Sequence, residues 1–218
     1  MRSGESSTTV SSSSEPIDAE LVERMAQGDR DAFGTLFRRH HATVFRFSRQ
    51  MLGSKEAAED VTQEVFIALA QTAARYDPSR GSLSTYLYGI ARNLVCQRHR
   101  RNRARVEVDV DAIDHDGSPA LAVSSDPVDE LSRARLVLSL RQAILRLPVH
   151  YREAIVLCEL NSLSYEEAAA IVGCPIGTIR SRLSRAREML IDRCRLSMGL
   201  TRVTEVWKPC LTPTKNGC

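Results

Sequence analysis

The sequence predicts an all-α fold, two small helical domains joined by a flexible acidic linker, on three observations. Apolar residues recur at helical spacing almost throughout, with no alternating strand runs and no Asn-Gly turn between apolar segments. Charge is segregated: Arg92 to Arg105 holds six arginines and no acid, whereas Glu107 to Glu130 holds eight acids and no Lys or Arg. Finally, Ser164 to Leu190 reads as two short helices around a tight turn. At 218 residues the chain has room for one large or two small domains, each with a modest core.

Taken in order, residues 1–16 are Ser- and Thr-rich without an apolar signal core and read as a disordered leader. The first domain spans 17–105. Its first helix runs from Asp18 to Gln27 and stops at Gly28; Asp29 caps a second, in which Phe33, Leu36, Phe37, Val44, Phe45 and Met51 make an apolar face before Gly53. Ser54 caps a third, about Lys55 to Ala74, which buries Val61, Val65, Phe66 and Leu69. After a loop of Asp77, Pro78, Ser79, Arg80 and Gly81, Ser82 or Ser84 starts a fourth helix that turns Leu83, Leu87, Ile90, Ala91 and Leu94 inward and runs into the basic stretch. Residues 106–127, with their acids and Gly117, Pro119, Ser124 and Ser125, read as the linker. The second domain, 128–198, opens on an amphipathic helix from Val128 to Leu147, continues in a short helix from Pro148 through Leu160, and closes on the helical pair. Residues 199–218 form a tail with Trp207, Cys210 and Cys218, expected to be flexible.

Several classes are excluded. No apolar run approaches the ~18 residues of a spanning helix, so no membrane insertion is expected and the chain should stay in the cytoplasm. The six cysteines form no CxxC pair and no zinc-ribbon spacing, which argues against a disulfide scaffold, and no metal or cofactor is expected. Cys158 and Cys174 sit among apolar residues and read as small core residues, while Cys96 beside His99 is too sparse a pair to make a metal site.

The helical pair carries the strongest chemistry. Ser164 and Glu167 have the spacing of a capping box, and Ala168, Ala169, Ile171 and Val172 supply a buried side. Gly173-Cys174-Pro175 breaks the helix, with Pro175 suited to the first turn of the next. There Ile179, Leu183, Ala186 and Leu190 form an apolar stripe, leaving Arg180, Ser181, Arg182, Ser184, Arg185 and Arg187 on the other face. Cations that bind phosphate or fork onto a guanine edge, mixed with short hydroxyls, are what a helix-turn-helix uses to read a DNA groove. Upstream, Tyr76, Tyr86 and Tyr88 lie near Arg80, Arg92 and Arg98, a mixture suited to unstacked bases and single-stranded backbone. On the third helix Asp60, Gln63, Glu64 and Ile67 fall at i, i+3, i+4 and i+7, opposite the buried face. Two basic helical surfaces joined by an acidic linker suggest contact with DNA at two separated places.

The order of these parts, DVTQEVF (Asp60 to Phe66), YDPSRGSLSTYLYGIARN (Tyr76 to Asn93), the basic run, the linker, RLPVHYREAIVL (Arg146 to Leu157) and SYEEAAAIVGCPIGTIRSRLSRARE (Ser164 to Glu188), resembles the bacterial extracytoplasmic function (ECF) sigma factors of the sigma-70 family. The resemblance covers about residues 18 to 195. It implies a sigma region 2-like helical bundle followed by a sigma region 4-like helix-turn-helix domain. It further implies a promoter-specificity subunit that is not an enzyme by itself, and partners in core RNA polymerase (β′ clamp helices and β flap), promoter DNA and an anti-sigma factor. Asp60, Gln63 and Glu64 would dock on the clamp helices, acid against a basic coiled coil. Tyr76, Arg80, Ser82 and Tyr86, with Asn93, Arg98, Arg100 and Arg101, would capture and open the −10 element. Arg180, Ser181, Arg182, Ser184 and Arg185 would read the −35 element, with Thr178 as a phosphate ligand near the helix start. One departure is Tyr86, where many relatives place tryptophan.

The sequence is open to three other readings. A helix-turn-helix operator-binding regulator that does not join polymerase would need a ligand pocket, phosphoacceptor or dimer helix in its amino-terminal half. A metal-dependent nuclease would need converging carboxylates, and Asp109, Asp111, Asp114 and Asp116 occupy a stretch with little to hold them. A cysteine-based sensor would depend on Cys210 and Cys218.

Overall fold

The computed structural model describes residues 17–106 and 127–198, all of whose regular elements are helical. The expected leader, the acidic segment 107–126 and the tail 199–218 lie outside the described residues. Four helices make the first half: α1 (Asp18–Ala26), α2 (Arg30–Leu52), α3 (Lys55–Thr72) and α4 (Leu83–Val106), with short 3-10 turns at Ala73–Arg75 and Pro78–Arg80. The second half holds α5 (Pro127–Leu145), α6 (Val149–Ile155) continuing into a π-helical turn Val156–Leu160, then α7 (Tyr165–Val172) and α8 (Ile176–Met198). Both α4 and α5 extend one residue into the expected linker.

Local chemistry sets most of these ends. Asp29 caps α2 by accepting from the backbone N–H groups of Asp31 at 2.9 Å and Ala32 at 3.1 Å. The Ala32 bond first, and the Arg24 side chain next, hold its carboxyl below the usual value. Ser54 caps α3 through the Ala57 N–H at 3.2 Å, and Ser82, of the two serines considered, caps α4 through the Thr85 N–H at 3.2 Å. Gly53 ends α2 at φ 80, a conformation costly for any residue with a Cβ; a Cβ there would also stand 2.8 Å from Leu145 Cδ1 of α5.

That approach of α5 to the α2 end shows how the two halves relate. Two separate modest cores are the expectation from sequence, yet the buried residues form one continuous cluster, from Leu21, Leu36 and Phe47 through Val61, Phe66 and Leu87 to Ile155, Ile179 and Leu183. Arg152 of α6 is buried and donates to Met51 O at the end of α2 (2.6 Å), and to Leu147 O (3.1 Å) and Leu145 O at the end of α5. Its charge thus sits against the negative ends of two helix dipoles, which offsets a burial that draws its pKa down. Asn161, just after the π-helical turn, joins the halves again: its Oδ1 accepts from Tyr88 Oη at 3.2 Å, and its Nδ2 donates to Gln50 Oε1 at 2.9 Å. The contact network therefore places α2 and α4 of the first half directly on the second.

Two expected faces differ. The amphipathic pattern expected of α5 holds only toward its carboxyl-terminal end, where Leu140 packs on the core and Ala143, Ile144 and the following Leu147 are buried; before that, Leu136, Val137 and Leu138 are 44–48% exposed. On α2, Leu36, Val44 and Met51 are buried as expected, but Phe33, Phe37 and Phe45 are only partly covered.

Candidate nucleic-acid interface

The reader helix α8 is positioned by the turn before it. Ser164 Oγ accepts from the Glu167 N–H at 3.1 Å while the Glu167 carboxylate accepts from the Ser164 N–H at 2.9 Å, a complete capping box. Gly173 then takes the left-handed conformation at φ 71, and its N–H bonds to Ala169 O at 2.8 Å. Pro175 lies just outside the first turn expected for it: its carbonyl accepts from the Thr178 N–H at 2.9 Å, and the helix begins at Ile176. Ile179, Leu183, Ala186 and Leu190 are all buried, which fixes the rotation of α8 and turns Arg180, Ser181, Ser184 and Arg185 to solvent, with Thr178 and Arg182 half-buried at the border. Arg180 lies over the Tyr165 ring at 5.8 Å, and Arg185 reaches Glu188 at 3.1 Å. Arg187 is a correction: its side chain turns inward to Glu159, and both partners are largely buried.

On α4 the loop from Tyr76 to Ser82 is braced from within. Asp77 Oδ1 accepts from the Ser79 N–H at 2.9 Å and Ser79 Oγ at 2.7 Å; these bonds hold its carboxyl below the usual range. Tyr76 Oη donates to Gly81 O at 3.3 Å, its ring lies 5.6 Å from that of Tyr86, and Tyr86 Oη meets Thr72 Oγ1 at 3.0 Å. Arg80 and Ser82 are exposed on the loop, and Asn93, Arg100 and Arg101 along the helix. Tyr88, grouped with this aromatic set from sequence, is instead a core residue edge-on to Phe47 at 5.2 Å. Arg92 is also drawn away, its Nε donating at 2.9 Å to Glu153, an α6 carboxylate only 3% exposed that Cys96 Sγ also reaches at 3.3 Å.

The α3 strip has Asp60, Gln63, Glu64 and Ile67 exposed above buried Val61, Val65, Phe66 and Leu69. It is not unpartnered, because Arg98 of α4 donates to Asp60 Oδ2 at 3.3 Å and to Glu64 Oε1 at 3.0 Å. Beside the strip lies a groove of about 380 Å³ lined by Phe37, His41, Phe45, Lys55, Glu59 and Gln63. Sequence reasoning placed those phenylalanines in the core; the Phe37, His41, Phe45 repeat at i, i+4, i+8, with a polar ring at its centre, is the signal that marks a half-exposed ridge. Arg152, Glu153 and Asn161 were also unforeseen, since their partners are remote in sequence. Among the described residues, no group of three or more His, Cys, Asp or Glu side chains converges to hold a metal.

Two family models match this arrangement in order: sigma-70 region 2 over residues 36–105 and sigma-70 region 4 over residues 138–190. The chain belongs to the sigma-70 family, in its ECF group, and is an RNA polymerase sigma factor. It is 35% identical over 186 residues to the ECF RNA polymerase sigma factor SigE of Mycolicibacterium smegmatis, covering 84% of this chain and 70% of that one. To the ECF RNA polymerase sigma-E factor of Escherichia coli K12 it is 37% identical over 183 residues, covering 81% and 93%. Among solved structures it is similar to the sigma factor RpoE of Bartonella quintana in complex with the anti-sigma factor NepR, with a TM-score of 0.62, 28% identity and coverage of 76% and 98%. The operator-binding alternative is not favoured, because the amino-terminal half matches a sigma region as well.

Proposed function

We propose that the chain docks on the β′ clamp helices of core RNA polymerase through Asp60, Gln63 and Glu64. In this reading the loop and helix from Tyr76 to Arg101 open the −10 element, and α8 reads the −35 element. The observation that carries the reading is a shared division of labour. Helices α3, α4 and α8 each bury one apolar face and offer solvent a different chemistry: acid on α3, cation with aromatic on α4, cation with hydroxyl on α8.

The mechanism follows from those surfaces. Arg182 and Arg185 supply guanidinium forks for base edges, Ser181 and Ser184 permit close approach, and Thr178 and Arg180 meet the backbone. Upstream anchoring places the braced loop over the −10 element, where Arg80, Ser82, Asn93, Arg100 and Arg101 hold the displaced strand and the Tyr76–Tyr86 pair shapes the pocket for an extruded base. Flipping a base costs a few kcal/mol, which stacking and phosphate contacts offset. The chain contributes binding energy and the polymerase the chemistry of RNA synthesis. No helix among the described residues is long and apolar enough to cross a membrane. Work on RNA polymerase places the chain in the cytoplasm, and the solved complex of a similar sigma factor supports an anti-sigma factor as inhibitor.

Run-off transcription with purified chain and core polymerase over a promoter library tests the proposal. Promoter-dependent transcripts are expected. Folded, inhibitor-free chain that gives none under reducing conditions refutes it.

A further inference from the structure

Arginine–carboxylate pairs join the helices of this protein in settings that differ in burial. Arg92 meets Glu153 and Arg187 meets Glu159 where the acids are 3% and 17% exposed, so those pairs are built into the core. Arg98 differs: it is 27% exposed, and the acids it bridges, Asp60 and Glu64, are 60% and 48% exposed. Such a solvent-facing contact is worth less than about fivefold in an equilibrium constant, and incoming cations can displace it.

Its position is as informative as its weakness. Asp60 and Glu64 stand one turn apart on α3, so one guanidinium spans both. On its own helix Arg98 lies three residues before the exposed Arg101, which puts the two on adjoining turns of one face of α4. The long side chain therefore sits on the border between the acidic strip and the basic face, within reach of either.

We propose that Arg98 couples polymerase docking to DNA engagement: in the free chain it occupies the Asp60–Glu64 strip, and a basic helix docking there displaces it toward the DNA-facing side of α4. This rests on the strip being the docking surface. Two consequences oppose each other. Arg98 competes with the polymerase for the strip, so removing it strengthens docking; the released guanidinium adds one phosphate contact, so removing it weakens the promoter complex. Because binding linkage is reciprocal, each event favours the other.

The test measures core-polymerase affinity of the full chain at low ionic strength for the parent, Arg98→Ala, Asp60→Asn/Glu64→Gln, and the triple variant, with thermal melts to verify folding. Stability of the holoenzyme–promoter complex is then followed against salt on a promoter selected by run-off transcription. Asp60→Asn/Glu64→Gln should weaken docking. Arg98→Ala should tighten it about 2- to 5-fold, the gain should vanish in the triple variant, and the salt slope of promoter binding should fall by about 1. Tightening that persists without the acids is a general charge effect and overturns the inference, as does unchanged or weaker docking by Arg98→Ala, or an unaltered promoter salt slope. If neutralising Asp60 and Glu64 leaves docking intact, the docking reading itself falls and the inference with it.

Discussion

Individual arginines of α8 differ by what stands beside them. Arg185 faces solvent and Arg182 lies half-buried at the border of the stripe formed by Ile179, Leu183, Ala186 and Leu190, whereas Arg187, five residues after Arg182, closes a pair with Glu159. Replacing Arg182 or Arg185 with Ala should therefore cost about 1–3 kcal/mol on the preferred −35 sequence and relax selection at one base position, measured by transcription from −35 variants. Arg187→Ala should instead lower stability, through the partly buried Glu159 it leaves unpaired. The thiols make a pH prediction. Burial first, and then the nearby Glu153 and Glu159 carboxylates, push Cys96 and Cys158 from an ordinary 9.0 up to about 11. The fold favours the neutral thiol, so this contribution is complete below pH about 9 and is lost as pH rises toward about 11. Urea midpoints of the parent should fall across that window more steeply than those of a Cys96→Ala/Cys158→Ala chain.

Helix ends were the most legible features at the scale of elements. Asp29, Ser54 and Ser164 all cap the helices expected of them, because a short side-chain acceptor followed by free N–H groups is a purely local arrangement. Removing one half of the capping box by Ser164→Ala should destabilise the chain by about 1 kcal/mol, while Ser164→Asp should keep most of that stability, both read by chemical denaturation. Faces were less legible than ends. Periodicity assigns Phe37 and Phe45 to the inside of α2, but it cannot say how wide a neighbouring helix is, and α3 leaves them lining an open groove with His41. The same limit applies to α5, whose Leu136, Val137 and Leu138 follow one another in sequence and so cannot all face one core.

For the molecule as a whole, the joint between halves is where charge and packing act together. Arg152 ties the ends of α2 and α5 to α6 through three backbone carbonyls, two of them in α2 and α5 or at their ends. Arg152→Met should leave these buried carbonyls without a donor and cost about 2–4 kcal/mol, visible in urea unfolding as a lower midpoint and a broader transition as the halves lose cooperativity. The sequence by itself determined the helices, their caps and the composition of the three polar surfaces, since these depend on neighbours within a turn or two. Only the tertiary structure decided which charges on those surfaces are already engaged. Arg92 finds Glu153 across 61 residues, Arg98 finds Asp60 across 38, and Arg187 finds Glu159 across 28. Ion pairs at such separations exist only after helices have packed, because it is the burial of their apolar faces that brings the charged edges together.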